Sequence, residues 1–169
     1  YRISHEIKGC CDGVIRDIYH NGSVRNTLLI SPPGCGKTTL LRDLARFISN
    51  TGKRVCILDE RGEIASMHEG IPGFEIGPLT DVLSNCPKPY GIPMLLRSMA
   101  PDVIITDELF YDTDIKAIYE AKRRGVSVIA TVHGNDISDV DENILMSFSC
   151  LIVLSSRLGV GTIEKVMIR

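Results

Sequence analysis

The octapeptide Ser31-Pro32-Pro33-Gly34-Cys35-Gly36-Lys37-Thr38 follows the apolar run Leu28-Leu29-Ile30 and leads into an amphipathic stretch. Residue types at this spacing suit one task, the gripping of a polyphosphate. Glycines at 34 and 36 let the backbone of a cradle that opens at Pro33 curl tightly, so that the N–H groups of Gly34, Cys35 and Gly36 face inward, at the positive end of the helix that follows. Lys37 then reaches the β- and γ-oxygens, Thr38 offers a hydroxyl to Mg²⁺, and Thr39 reaches the α-phosphate. A Gly-Lys-Ser/Thr triplet alone arises by chance in roughly one chain in ten of this length, so the context has to carry the reading. It does: an apolar strand precedes the loop, and Leu41, Leu44, Ala45 and Ile48 form one helical stripe after it, before Asn50-Thr51-Gly52. Ser31 stands where such loops usually have their first glycine, which leaves the phosphate-facing glycines intact. The pattern predicts ATP and Mg²⁺ as ligands.

A phosphate loop needs carboxylates opposite it. Asp102-Val103-Ile104-Ile105-Thr106-Asp107-Glu108 ends a buried strand in two adjacent acids. In this arrangement Asp107 holds Mg²⁺ through water and Glu108 polarises the attacking water. The alternative reading is structural, with Asp107 capping a turn and Glu108 exposed. Glutamate directly after aspartate favours the P-loop branch that hydrolyses ATP with a glutamate base and inserts an extra strand between the loop strand and the carboxylate strand. The run 126–131 is that strand, and it delivers His133 at its end, placed to hydrogen-bond phosphate or water. Asp59-Glu60-Arg61-Gly62-Glu63 follows another strand at the same edge. There, water or metal positioning by Asp59 or Glu60 competes with simple salt bridging. Arg97 and Arg157 are candidates for touching transition-state charge across a subunit boundary, with surface pairing as the alternative.

Those residues need a scaffold. Apolar, β-branched runs at 55–58, 103–106, 126–131 and 151–154 read as strands buried on both faces, and helices are expected at 40–49 and 113–122. The alternation implies a parallel α/β sheet with right-handed crossovers. A short helix is expected at 11–19, closing at Asn21-Gly22. Residues 60–93 hold so many glycines and prolines that they read as a loop-rich insertion with at most a short helix near Asp81. Residues 151–168 look like a C-terminal β-hairpin with glycines in the turn. Lys122-Arg123-Arg124 caps a helix end, and Asp136, Asp139, Asp141 and Glu142 read as a polar helix face.

With 169 residues, 44% of them apolar, the chain has material for one core and is expected to form one domain, 1–169. It opens at Tyr1 rather than methionine and reads as the C-terminal part of a longer protein. No apolar run approaches the roughly 20 residues a bilayer span needs, and no signal peptide opens the sequence, so a cytosolic location is expected. Six cysteines without a C-x-x-C pair argue for reduced thiols rather than zinc or disulfides. A net charge of −2 offers no nucleic-acid footprint, and no nucleic-acid partner is expected.

SPPGCGKTTLLRD (31–43), ILDERGEI (57–64), LRSMAPDVIITDEL (96–109), GVSVIATVHG (125–134) and LSSRLGVGT (154–162) together resemble the stage III sporulation AA family, which is related to the type II and type IV secretion ATPases. The resemblance covers nearly the whole chain. It implies an additional-strand P-loop NTPase fold, a RecA/AAA-like parallel sheet flanked by helices. It also implies that Asp59-Glu60 is an acidic box supporting hydrolysis, that His133 is the histidine-box residue, and that nucleotide binds between subunits of a hexamer. Phe110-Tyr111 departs from the family's pattern, leaving any transition-state arginine to Arg97 or Arg157. By the same resemblance the protein is an ATPase powering a channel-like, secretion-type assembly, docked on a membrane-embedded partner at the mother-cell side during endospore formation. Two other readings stay open: a RecA-like ATPase acting on nucleic acid, and a nucleotide-binding switch that scarcely hydrolyses.

Overall fold

A computed structural model describes residues 7–155 and 157–169. Its centre is a seven-stranded sheet built from β3 (Thr27–Ile30), β4 (Val55–Asp59), β5 (Thr80–Ser84), β6 (Val103–Glu108), β7 (Ser127–Val132), β8 (Cys150–Leu154) and β9 (Ile163–Ile168); a separate two-stranded hairpin, β1 (Tyr19–His20) and β2 (Ser23–Val24), precedes it. The sheet order is β5-β4-β6-β7-β3-β8-β9, and every pairing is parallel except β8 with β9. Thus β7 lies between the phosphate-loop strand β3 and the carboxylate strand β6, as the additional-strand reading requires. The C-terminal hairpin is β8–β9.

Alternation along each strand sorts the core into two layers. Leu29, Ile57, Ile105, Ile129 and Ile152 meet Leu41, Leu44 and Ile48 of α2 (Lys37–Asn50) on one face. Leu28, Ile30, Leu58, Ile104, Val128 and Leu151 meet Ile92 and Leu95 of α3 (Lys88–Ser98) and Ala117, Ile118 and Ala121 of α4 (Asp112–Arg123) on the other. With helices on both faces, central strands such as β3 are apolar throughout rather than alternating.

Several local expectations are corrected. The segment 60–93 is not only loop: Asp81 sits in strand β5, not in a helix, and α3 begins at Lys88 despite Pro89, Gly91 and Pro93. Pro89 lies in the first turn, where a missing N–H costs nothing because those donors have no intrahelical partner. Gly91 is there for contact, since a Cβ would stand 2.6 Å from Leu58 Cδ1. The expected helix at 11–19 shrinks to α1 (Ile15–Ile18), and Asn21-Gly22 is the turn of the β1–β2 hairpin, both residues at positive φ (49° and 77°). The acids after β7 do not share a helix face. Asp136 and Asp139 box a 3₁₀ turn (Ile137–Asp139), and Asp141 caps α5 (Glu142–Leu145).

Among the described residues no helix is long and apolar enough to cross a membrane.

Candidate functional site

The phosphate loop leaves β3 at Ser31, which is fully buried, and bends at Gly34 (φ 77°) and Gly36 (φ 89°) into α2. Gly36 is the N-cap in a left-handed conformation, and no side chain caps the helix, so the first-turn amides stay available to an anion. The β8–β9 turn presses on the loop from the side. A Cβ on Gly36 would lie 3.3 Å from Gly161 Cα, and the Gly161 N–H donates to the Cys35 carbonyl at 3.1 Å.

Lys37 has no carboxylate within ion-pair distance among the described residues. Its Nζ donates to the carbonyls of Ser31 (2.8 Å) and Pro32 (3.1 Å) and lies 3.0 Å from Nδ1 of His133. Burial pushes this ammonium down to about 8. It is a cation dressed only by dipoles.

On the facing strand the two acids are brought together by an irregularity. Ile105 pairs with Ile129, but Glu108 pairs with Thr131, so β6 carries one extra residue against β7. In a regular strand consecutive side chains leave on opposite faces; the bulge at the strand end lets both Asp107 and Glu108 line the cleft. The cleft has a volume of about 440 Å³ and is walled by Pro33, Gly34, Gly36, Lys37, Thr38 and Thr39 on the loop side. His133, Thr131, Arg61, Glu63 and Val160 complete it with the two acids.

Glu108, its side chain 7% exposed, is held at both oxygens. Arg61 Nη1 lies 3.1 Å from Oε2, and His133 Nε2 contacts Oε1. Nδ1 lies between the Lys37 ammonium and, at 3.4 Å, the Ser31 carbonyl; an ammonium has no lone pair, so when Lys37 donates to Nδ1 the neutral ring carries its proton on Nε2, the nitrogen that faces Glu108. Burial, and then the Lys37 charge, hold the imidazole below its ordinary value, consistent with that neutral tautomer. The Arg61 guanidinium also lies over the Phe110 ring at 5.1 Å.

Asp107 is ion-paired through Oδ1 to Lys88 at 2.9 Å; both carboxylate oxygens are buried without a hydrogen-bond partner among the described residues, and Oδ2 has no ion pair either. Burial pushes the Asp107 carboxyl up, against the pull of the Lys88 charge. Lys88 also pairs with Glu60 at 2.7 Å. Burial alone would lower its ammonium, but the bond to Glu60 and the Asp107 charge outweigh it and the net shift is upward.

Of the residues singled out in the sequence, the loop residues, Asp107, Glu108 and His133 converge on the cleft. Cys35 is buried within the loop, and all six cysteines are free. Asp59 is fully buried, its two oxygens accepting from the amides of Glu63 and Ala65 (2.9 Å each), which anchors the turn after β4. Glu60 faces a neighbouring cavity with Lys88. Arg97 donates to its own helix at the Pro93 carbonyl, and Arg157, 82% exposed, pairs with Glu164; neither lines the cleft. The sequence reading passed over Lys88 and Val160. A lysine between two prolines carries no chemical signal, and Val160 looks like any turn residue.

The site is compatible with Mg²⁺ and a nucleotide by its own atoms: an uncapped helix start, the Thr38 hydroxyl and, among the described residues, an ammonium without an anion and a carboxylate oxygen without a partner.

The VirB11 ATPase of the Brucella suis type IV secretion system, a structure in complex with sulfate, has a similar fold (TM-score 0.63, 17% identity, 85% of this chain and 48% of that one). The ATPase DotB of Legionella pneumophila is likewise similar (TM-score 0.59, 20% identity, 84% and 43%). The fold is thus that of the P-loop secretion ATPases. Stage III sporulation protein AA of Bacillus subtilis (strain 168) is 42% identical over 178 residues, covering 98% of this chain and 57% of that protein, so the chain spans a little over half of that relative. The model of the family described as sporulation stage III, protein AA matches residues 1–167, and the chain belongs to that family.

Proposed function

We propose that these residues act as a single ATPase domain that binds MgATP in the cleft between the phosphate loop and the end of β6 and hydrolyses it. The observation that carries this is the bulge that turns Asp107 and Glu108 together toward a lysine lacking any anion. Loop amides and Lys37 grip the β- and γ-phosphates, and Thr38 with Asp107 holds the metal. Mg²⁺, when bound, would neutralise charge developing on the β- and γ-phosphates. Glu108 orients and deprotonates the attacking water, and His133, poised between Lys37 and Glu108, reports phosphate occupancy to the base. Family membership and the secretion-ATPase fold support the wider reading. In it, a homo-hexamer at the mother-cell face of a membrane, docked on a membrane-embedded component, powers a secretion-like complex during endospore formation.

Phosphate release from ATP tests the chemistry. Glu108→Gln is expected to lower turnover by about 10²- to 10⁴-fold while ATP still binds. Unchanged turnover would overturn the glutamate base. The clamping of Glu108 by Arg61 and His133 favours a second reading, a nucleotide-binding switch that scarcely hydrolyses; ATP binding by the wild type without measurable phosphate release would select it.

A further inference from the structure

Lys88 is among the largest fully buried side chains of the molecule, at 2% exposure, yet it opens a helix. Both circumstances disfavour a lysine. An ammonium taken out of water costs several kcal/mol, and the start of a helix is its positive end. What offsets this is a pair of carboxylates from two different strand ends: Glu60 after β4 at 2.7 Å, and Asp107 in β6 at 2.9 Å. The close approach of α3 to β4, permitted by Gly91 against Leu58, brings the lysine within reach of both.

The consequence falls on Asp107. The Lys88 ion pair at Oδ1 biases the carboxylate's orientation, and Oδ2, in a residue that lines the cleft, is buried with neither an ion pair nor a hydrogen-bond partner among the described residues. The turn after β4 therefore grips both acids of the site. Arg61 holds Glu108 directly, and Glu60 holds Asp107 through Lys88.

We infer that Lys88 is a positioning residue for magnesium: by occupying Oδ1 of Asp107 it reserves Oδ2 for the metal's water shell, and Glu60 keeps it seated. The inference rests on the nucleotide reading and goes beyond it. ATP binding to the intact protein, measured by calorimetry with Mg²⁺ and with EDTA, tests it. Wild type is expected to bind more tightly with Mg²⁺. Lys88→Met is expected to lose about tenfold of that Mg²⁺-dependent gain while keeping wild-type affinity in EDTA, and Glu60→Gln about threefold, since partners behind a metal ligand tune its affinity on this scale. A lysine that served packing alone would change both conditions together. Should Lys88→Met not fold, Glu60→Gln decides, because Glu60 is partly exposed and its loss removes one anchor only. The inference is overturned if the folded variants keep the wild-type response to Mg²⁺, or if wild type binds ATP with no response to Mg²⁺. A wild type that binds no ATP removes the nucleotide reading and this inference together, so the two failures are distinguishable.

Discussion

Two lysines, one in the phosphate loop and one at the start of α3, meet opposite fates. Lys37 is surrounded by carbonyls and a neutral imidazole and its ammonium is pushed down to about 8; Lys88 is more completely buried, yet it is held above the ordinary lysine value. Burial therefore does not decide the charge of a lysine here; its partners do. Lys88 already has its anions, Glu60 and Asp107, whereas Lys37 has only dipoles. A cation left without a counter-charge is destabilised until an anion arrives, which is the property a phosphate site needs. One region has its charges internally balanced. The other is left open for a ligand.

The sharpest way to break that contrast is to remove each lysine in turn. Lys88→Met leaves two buried or half-buried carboxylates without their cation and is expected to cost about 3–5 kcal/mol in urea unfolding. Lys37→Met removes a charge that the fold does not neutralise and is expected to leave stability unchanged or to raise it near neutral pH. In ATP binding the order reverses: Lys37→Met is expected to weaken affinity about a hundredfold, the worth of charge-assisted hydrogen bonds near 3 kcal/mol. Equal stability costs at the two sites would dissolve the distinction.

A third charged group sets the scale. Asp43 of α2, which does not line the cleft, accepts from the Cys11 amide (3.0 Å) and twice from Arg46 (2.9 and 2.6 Å). Burial acts to raise its carboxyl, but the Cys11 amide and Arg46 prevail and it titrates below its ordinary 3.8. Its contribution is thus present above that value and lost as pH falls further toward the folded-state value. Asp43→Asn should cost about 2 kcal/mol at neutral pH and blunt the acid branch of the stability curve.

The last effect is a pH slope. Between about 8, where Lys37 titrates when folded, and its ordinary 10.5, the unfolded chain holds more protons, so stability rises with pH across that window. The rise should be absent from Lys37→Met when urea midpoints are compared at both ends. A wild-type curve parallel to the variant's would show that Lys37 is not destabilised when free.

Much of this architecture was readable before folding. Loop, carboxylate strand, inserted strand and terminal hairpin are each announced by local residue types, because Gly-Lys-Thr after an apolar run, or β-branched stretches covered on both faces, act within a few residues. The stretch 60–93 reads as loop because glycine and proline usually break elements. Here tertiary contact overrode them: Gly91 is required by Leu58, and Pro89 sits where a helix tolerates it. Likewise, Asn21-Gly22 signals a stop, and whether it ends a helix or turns a hairpin depends on what packs above it.

By itself, then, the sequence determined a phosphate loop after one buried strand and paired carboxylates at the end of another, because periodicity and turn chemistry are local and β-sheet burial imposes a pattern on every strand; the strand between them was implied by likeness to a P-loop ATPase branch and seen in the sheet order. Only the tertiary structure decided that a bulge at the end of β6 turns Asp107 and Glu108 into one cleft, that Arg61 and His133 hold the base, and that Lys88 sits behind the metal-binding carboxylate. Those are pairings between residues tens of positions apart, set by how strand ends and helix starts register in space, and no local property of the chain encodes them.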